Sequence, residues 1–272
     1  MKKESIILWV VAFLITIGSA VYQRMTGPTY PVRGAIMLGG KEMAFKLDRS
    51  EGERNALVRI PTGDPAIRGW LAWKRYRSED PWMAIPMTYQ DGFVQAELPM
   101  QPPAGKLVYR VLLERGGEQK VVPDGEPVVI RFKGDVPGYI LWPHVLMMFL
   151  AMLVSTRAGL EFFAKEPRLN VLTYLAIAFL FVGGIILGPL VQKYAFGSYW
   201  TGWPYGMDLT DNKTALAFLA WIAAAFALKR SKRPKVWVLG AAIVLLLVYM
   251  VPHSLAGSEL DNAQKTPLAA PR

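Results

Sequence analysis

The sequence predicts an α+β membrane protein, with an antiparallel β-sandwich inserted between the first and second helices of a five-helix transmembrane bundle. Three observations predict it. Apolar residues make up 53% of the 272 positions and are clustered rather than spread. Between residues 30 and 133 the apolar period changes from helical to two. The basic excess behind the net charge of +10 falls mostly in short connections that such a bundle leaves on one side of a bilayer. Zero Cys excludes disulfide frameworks, thiolate metal sites and Cys nucleophiles, and two His are too few for a three-His zinc site.

Residues 1–27 form the first element. Positions 5–22 are the first of five apolar stretches, followed by 139–155, 170–192, 214–228 and 235–255. A spanning helix needs roughly 20 apolar residues. The second stretch reaches this by continuing to Leu160, and the fourth by starting near Leu209. The basic start, the apolar run 6–17 and Gly18-Ser19-Ala20 also have the order of a secretory signal, so the first stretch is either an anchor or an export signal. Under both readings the segment after it is exported. With the N-terminus inside, the inner side holds ten basic residues against Glu4, Glu161 and Glu166, whereas residues 23–137 hold seventeen against fourteen acidic ones. This positive-inside pattern predicts a multi-pass protein of a bacterial inner (cytoplasmic) membrane, with the β domain and C-terminus in the periplasm. The charge asks for a lipid bilayer as partner and not for nucleic acid.

Residues 28–137 form the exported β domain. Met43, Phe45 and Leu47 alternate with polar neighbours, as do Ala56, Val58 and Ile60, then Val94, Ala96 and Leu98. Leu107, Tyr109, Val111 and Leu113 make another face, and Val128, Ile130 and Phe132 the last. Each reads as a strand with one buried side. Asp91-Gly92 reads as a hairpin turn, with Gly116-Gly117 and Asp124-Gly125 as further turn chemistry. Short strands at this spacing predict an antiparallel sandwich. Trp70-Leu71-Ala72-Trp73-Lys74, then residues 93–98, then the Pro102-Pro103 turn leading into Tyr109-Arg110-Val111, resemble the middle strands of fibronectin type III and immunoglobulin-like domains. In those folds a Trp anchors the core and a Pro/Gly turn precedes a Tyr-x-Val strand. The resemblance covers residues 31–134, suggests Tyr109 as the corner tyrosine, and implies a fold but no activity.

Residues 138–258 form the rest of the bundle, and residues 259–272 an outer tail. The central turns of the helices carry no Asp, Glu, Lys or Arg, which ion-coupled transporters place there. Nucleophile-elbow, phosphate-loop, dinucleotide and H-E-x-x-H motifs are absent from the sequence, which favours a non-enzymatic reading. The candidate chemistry rests on His144 and His253, each preceded by Pro and each predicted near the outer interface. Met147 and Met148 follow His144 at helical spacing, and Met250 precedes His253 likewise. Imidazole and thioether ligate copper, and paired imidazoles or His with Met ligate haem iron. His144 and His253 are therefore the candidate ligands of haem b or copper, with Met147, Met148 and Met250 completing the metal set. The alternative is interfacial His and packing Met.

The outer loop 192–214 carries Tyr194, Phe196, Tyr199, Trp200, Trp203 and Tyr205, an aromatic belt or a lid over the bundle. Thr210 or Asp211 is expected to cap the fourth helix. Asp208 and Asp211, with Glu259 and Asp261 of the tail, form a candidate polar cluster at the level of the histidines. Gly184-x-x-x-Gly188 and Ala220-x-x-x-Ala224 predict close helix packing, and Pro189 a kink. The expected function is a non-catalytic accessory, assembly or interaction subunit with a membrane or periplasmic protein partner. The alternative is a redox or metal module built on the two histidines.

Overall fold

The computed structural model describes residues 3–252. They divide into two compact units: Thr29–Asp135, and the residues up to Pro28 together with those from Val136 onward.

In the first unit, β1 (Val32–Leu38) and β2 (Lys41–Leu47) pair as a hairpin in the register Val32↔Leu47 to Leu38↔Lys41. The other strands are β3 (Ser50–Glu51), β4 (Ala56–Pro61), β5 (Arg68–Arg75), β6 (Met83–Gln90), β7 (Phe93–Leu98), β8 (Lys106–Arg115), β9 (Glu118–Val122) and β10 (Val128–Phe132). They follow one hydrogen-bonded path, β3-β10-β8-β5-β6-β7-β4, with β9 also on β8. The result is a nearly closed, barrel-like sheet where the sequence predicts two separate layers. The cause is β6. Its residues 83–87 pair with β5 and its residues 88–90 with β7, which stitches the layers into one path.

Period-two alternation built this core. Met43, Phe45 and Leu47, Ala56, Val58 and Ile60, Leu107, Tyr109, Val111 and Leu113, and Val128, Ile130 and Phe132 are all buried in one cluster with Leu71 and Trp73. Ala96 is only half-buried. Asp91 and Gly92 have φ of 50° and 85°, and Gly116 and Gly117 of 58° and 89°, as a two-residue hairpin turn that follows the strand twist requires. Asp124-Gly125 makes no such turn, because β9 and β10 both pair with β8, end to end along one edge. The Tyr109 hydroxyl donates to the Asp48 carbonyl at 2.8 Å. Beyond β5, Arg75 grips Asp80 through two bonds of 2.6 and 2.7 Å, with both side chains buried.

The second unit holds α1 (Lys3–Thr26), α2 (Gly138–Leu160), a 3-10 turn (Glu161–Phe163), α3 (Leu169–Leu180), a π-helical stretch (Phe181–Leu187), α4 (Gly188–Phe196), α5 (Leu209–Arg230) and α6 (Pro234–Met250). Four helices are long and apolar enough to cross a membrane: Lys3–Thr26, Gly138–Phe163, Leu169–Phe196 and Leu209–Arg230. The fifth, α6, has 17 residues and stops at Met250, short of the expected residue 255. Val251 precedes Pro252 and takes an extended conformation, because the proline ring disfavours helical backbone in the residue before it. Small side chains fill the contacts between helices. Ala151, Ala158, Ala176, Ala217 and Ala224 are buried, and a Cβ on Gly159 would stand 2.7 Å from that of Ala242.

Two outcomes follow for the β unit. Asp80→Ala strands the nearly buried Arg75 guanidinium without its carboxylate, which costs about 3 kcal/mol and lowers the unfolding midpoint in calorimetry. Burial also pushes the Tyr109 hydroxyl above its ordinary value of 10.0. A raised folded value means this contribution to stability is complete below pH 10 and is lost as pH rises further. Alkaline melts of Tyr109→Phe should therefore fall less steeply with pH than those of the native chain.

Candidate functional site

The site is built around a defect in the third span. Over Phe181–Leu187 the helix widens to π spacing, and the Gly188 N–H bonds to the Gly183 carbonyl. Pro189, which has no N–H, sits at the start of α4, so the expected kink takes the form of a widened turn. The Gly183 carbonyl also meets Nδ1 of His144 on α2 at 2.9 Å. A carbonyl only accepts, so Nδ1 carries the hydrogen, and in the neutral ring Nε2 then keeps its lone pair. Glycine is required here by space. A Cβ on Gly183 would lie 2.9 Å from Cβ of Met147 and 3.0 Å from Sδ of Met148, and one on Gly184 would lie 2.9 Å from Cγ2 of Thr214. The close approach of α2 and α5 to the third span is thus centred on Gly183 and Gly184, with Gly188 less crowded.

The outer loop begins where Gly197, at φ 86°, ends α4 in the left-handed conformation. It ends at Asp208, whose Oδ1 accepts from the N–H groups of Thr210 at 2.8 Å and Asp211 at 3.4 Å. Asp208 is therefore the cap of α5, and the expectation of Thr210 or Asp211 in that role is corrected. The helix starts at Leu209, so those two residues already lie inside its first turn. Released from capping, Asp211 turns back into the loop. Its Oδ2 accepts from Thr201 N at 2.6 Å, Gly202 N at 2.9 Å, Gln192 Nε2 at 3.2 Å and Thr201 Oγ1 at 3.4 Å. Asn212 Oδ1 accepts from Trp203 N at 2.6 Å. Lys213 points the other way and donates to the Val251 carbonyl at the end of α6.

A cavity of about 130 Å³ lies between these parts, and His144, Met148, Phe196, Trp200, Asp208 and Asp211 all line it. The structure thus gathers part of the histidine set, part of the aromatic loop and part of the acidic cluster. Other members go elsewhere. Met147 packs its Cβ against Gly183, Met250 ends α6 with an exposed side chain, and Tyr194, Tyr199, Trp203 and Tyr205 are exposed. His253, Glu259 and Asp261 lie outside the described residues. Among the described residues no three His, Asp or Glu are grouped to share a metal ion.

At the far end of α2 the structure adds a feature that counting the charges by side of the membrane misses. Arg157 and Glu161 form a buried pair at 2.6 Å, exposed by only 3% and 1%. Glu161 also accepts from the Arg168 backbone N–H at 2.9 Å, and the Arg157 guanidinium lies 5.5 Å from the Trp9 ring centre. The one sequence signal was the i, i+4 spacing of opposite charges.

Comparison of the chain with protein-family models, curated proteins and solved structures finds no match in any of the three.

Because Asp211 is the common acceptor of the loop, Asp211→Ala should unfasten it. Amide exchange at Thr201 and Gly202 should accelerate, at a local cost of about 1–3 kcal/mol, while exchange in α3 stays unchanged.

Proposed function

We propose that the chain is a non-catalytic accessory, assembly or interaction subunit of a bacterial inner membrane, with the N-terminus inside and the β domain and C-terminus in the periplasm. One observation carries this reading: the carboxylates at the cavity are committed to holding the loop. Asp211 accepts four bonds from Gln192, Thr201 and Gly202, and Asp208 caps α5. A catalytic base or nucleophile needs such groups turned towards a substrate. Here they fix a loop whose rim, Trp203, Tyr205 and Met207, is 75%, 84% and 81% exposed. Aromatic side chains and Met held on a rigid frame suit contact with a protein partner at the bilayer edge.

The immunoglobulin or fibronectin type III likeness of the β unit belongs to the same proposal. It is supported by the pairing of β4 with β7, the place of β8 between β5 and β10, the parallel β3–β10 pair and the Tyr109–Asp48 bond.

A second reading, haem b or copper at His144 and His253, is favoured by one observation. Donation from Nδ1 to a carbonyl fixes the imidazole and leaves Nε2, the arrangement in which metal-bound imidazoles are held, and Met148 lines the same cavity. At about 130 Å³ the cavity suits an ion better than a macrocycle, since ligand pockets start at roughly 300 Å³.

The two readings part in one preparation. The interaction reading expects colourless, metal-free protein after purification in detergent. A Soret band or stoichiometric copper, lost in His144→Ala, would install the second reading instead. The first reading also expects the chain to be recovered from native membranes with a reproducible partner. That partner should be lost from the double variant Trp203→Ala, Tyr205→Ala with no change in melting temperature, and repeated recovery of the chain alone would contradict it.

A further inference from the structure

A second cavity of the helical unit, of about 220 Å³, opens where two spans end. Glu4 and Ser5 line it from the first turn of α1, Arg157 from the last turn of α2, Glu161 from the 3-10 turn, and Lys165 and Arg168 from the connection to α3. That connection is held in place. Lys235 Nζ on α6 donates to the Ala164 carbonyl at 2.8 Å, and the Lys165 N–H reaches Glu4 Oε1 at 3.4 Å. A span ends among headgroups, so a cavity at two span ends lies at headgroup depth. Beside it Phe162 and Phe163 are 38% and 69% exposed, and Ile6, Ile7 and Val10 on α1 are exposed too. Apolar and aromatic side chains left open at that level suit acyl chains.

The charges of the wall say what fits. Glu161 is saturated by Arg157 at 2.6 Å and by the Arg168 N–H at 2.9 Å, and Glu166, which also lines the cavity, is already engaged. Lys165 and Arg168 are exposed and form no ion pair among the described residues. Arg157 Nη2 has only the Ser5 hydroxyl, at 3.5 Å, which is beyond the usual length of a hydrogen bond. Arg168 also begins α3, whose first N–H groups have no side-chain cap, so the positive end of that helix stays open. Glu4 is exposed in the first turn of α1, and no basic side chain pairs with it among the described residues. A lone anion would leave Glu4 unanswered, and a lone cation would meet Lys165 and Arg168. Both are answered by one group that carries a phosphate and an ammonium a few bonds apart.

We propose that this cavity holds the headgroup of an amine-bearing phospholipid. Lys165 and Arg168 take the phosphate, with Arg157 Nη2 behind them, and Glu4 takes the ammonium. The acyl chains lie along Phe162, Phe163 and the open side of α1. At about 220 Å³ the space is short of the roughly 300 Å³ of pockets that enclose a whole ligand, which suits a headgroup whose chains stay in the bilayer. The proposal rests on the threading of the accessory-subunit reading only for the leaflet, which is then the inner one, and it adds a lipid to the protein partner of that reading.

The test uses the full chain in detergent, mixed with equal amounts of dioleoyl phosphatidylethanolamine, phosphatidylglycerol or phosphatidylcholine and read by native mass spectrometry. A single phosphatidylethanolamine should be retained per chain, in preference to the other two. Phosphatidylglycerol has no ammonium, and the trimethylated amine of phosphatidylcholine has no N–H to give Glu4. At roughly 1 kcal/mol per cation, Lys165→Gln and Arg168→Gln should each weaken retention about fivefold. Glu4→Gln should remove the preference for phosphatidylethanolamine over phosphatidylglycerol. Lys229→Gln, an exposed cation outside the cavity, should change nothing, and all four variants should keep the native melting temperature because these side chains are exposed. The proposal is overturned by absence of retained lipid, by equal retention of the three lipids, by preference for phosphatidylglycerol, or by unchanged retention in the double variant Lys165→Gln, Arg168→Gln. Displacement by an equal concentration of glycerophosphoethanolamine, the same headgroup without acyl chains, would overturn it too, since a soluble amine phosphate would then be the occupant. If the native chain retains no lipid while its protein partner is still recovered from native membranes, the lipid site fails and the interaction reading stands.

Discussion

A backbone carbonyl or N–H at membrane depth has no water to turn to, and the helical unit is organised around that constraint. The widened turn at Phe181–Leu187 shows it most clearly. Its Gly183 carbonyl is met by the neighbouring helix through His144, and the absence of a side chain on Gly183 lets Met147 and Met148 close over the spot. The same solution recurs around the unit. The Tyr249 hydroxyl donates to the Met148 carbonyl at 2.7 Å, Gln23 reaches the Tyr249 carbonyl at 2.8 Å, and Lys213 reaches that of Val251. Polar side chains are few in these helices; these four join one helix to the backbone of another, whereas Thr16, Ser19 and Thr214 bond back to their own helices. Between these ties, alanine-rich contacts let the helices approach closely, because hydrophobic force does little between helices already in lipid.

The β unit answers the same demand differently. Eight of its strands lie in one nearly closed path and β1 and β2 form a separate hairpin, so most edges are spent on neighbours. Beside Pro86 the β6–β7 ladder stops before the strands end.

Much of this was legible in the residues. Period-two alternation at Met43-Phe45-Leu47 and at Leu107-Tyr109-Val111 gave strands whose apolar side is buried, because a strand face has only two choices. The helices were legible from length and apolarity, and α2 ends at Leu160 as its run of apolar residues predicts. Pro252 shortened α6, although the hydropathy continues past it. The cap of α5 was misplaced because the turn that brings Asp208 before Leu209 depends on loop contacts from Thr201 to Asn212 that no local pattern encodes. The joining of two layers through β6 was equally hidden, since Pro86 marks a break without saying which strand each half will follow. The meeting of His144, Met148, Phe196, Trp200, Asp208 and Asp211 around one cavity depends on helix packing over long sequence separations. Arg157 and Glu161 counted only as charges of the inner side, because composition does not report that Trp9 and Arg168 would enclose them.

The proposed threading places the β unit and the Lys229–Lys235 connection on opposite sides of the bilayer, and the cysteine-free chain makes this directly measurable. Single variants Lys120→Cys and Ser231→Cys are treated in intact cells, and then after permeabilisation, with a maleimide that passes the outer but not the inner membrane. The account predicts labelling of Lys120→Cys in both conditions and of Ser231→Cys only after permeabilisation. Labelling of Ser231→Cys in intact cells, with Lys120→Cys protected, would contradict it.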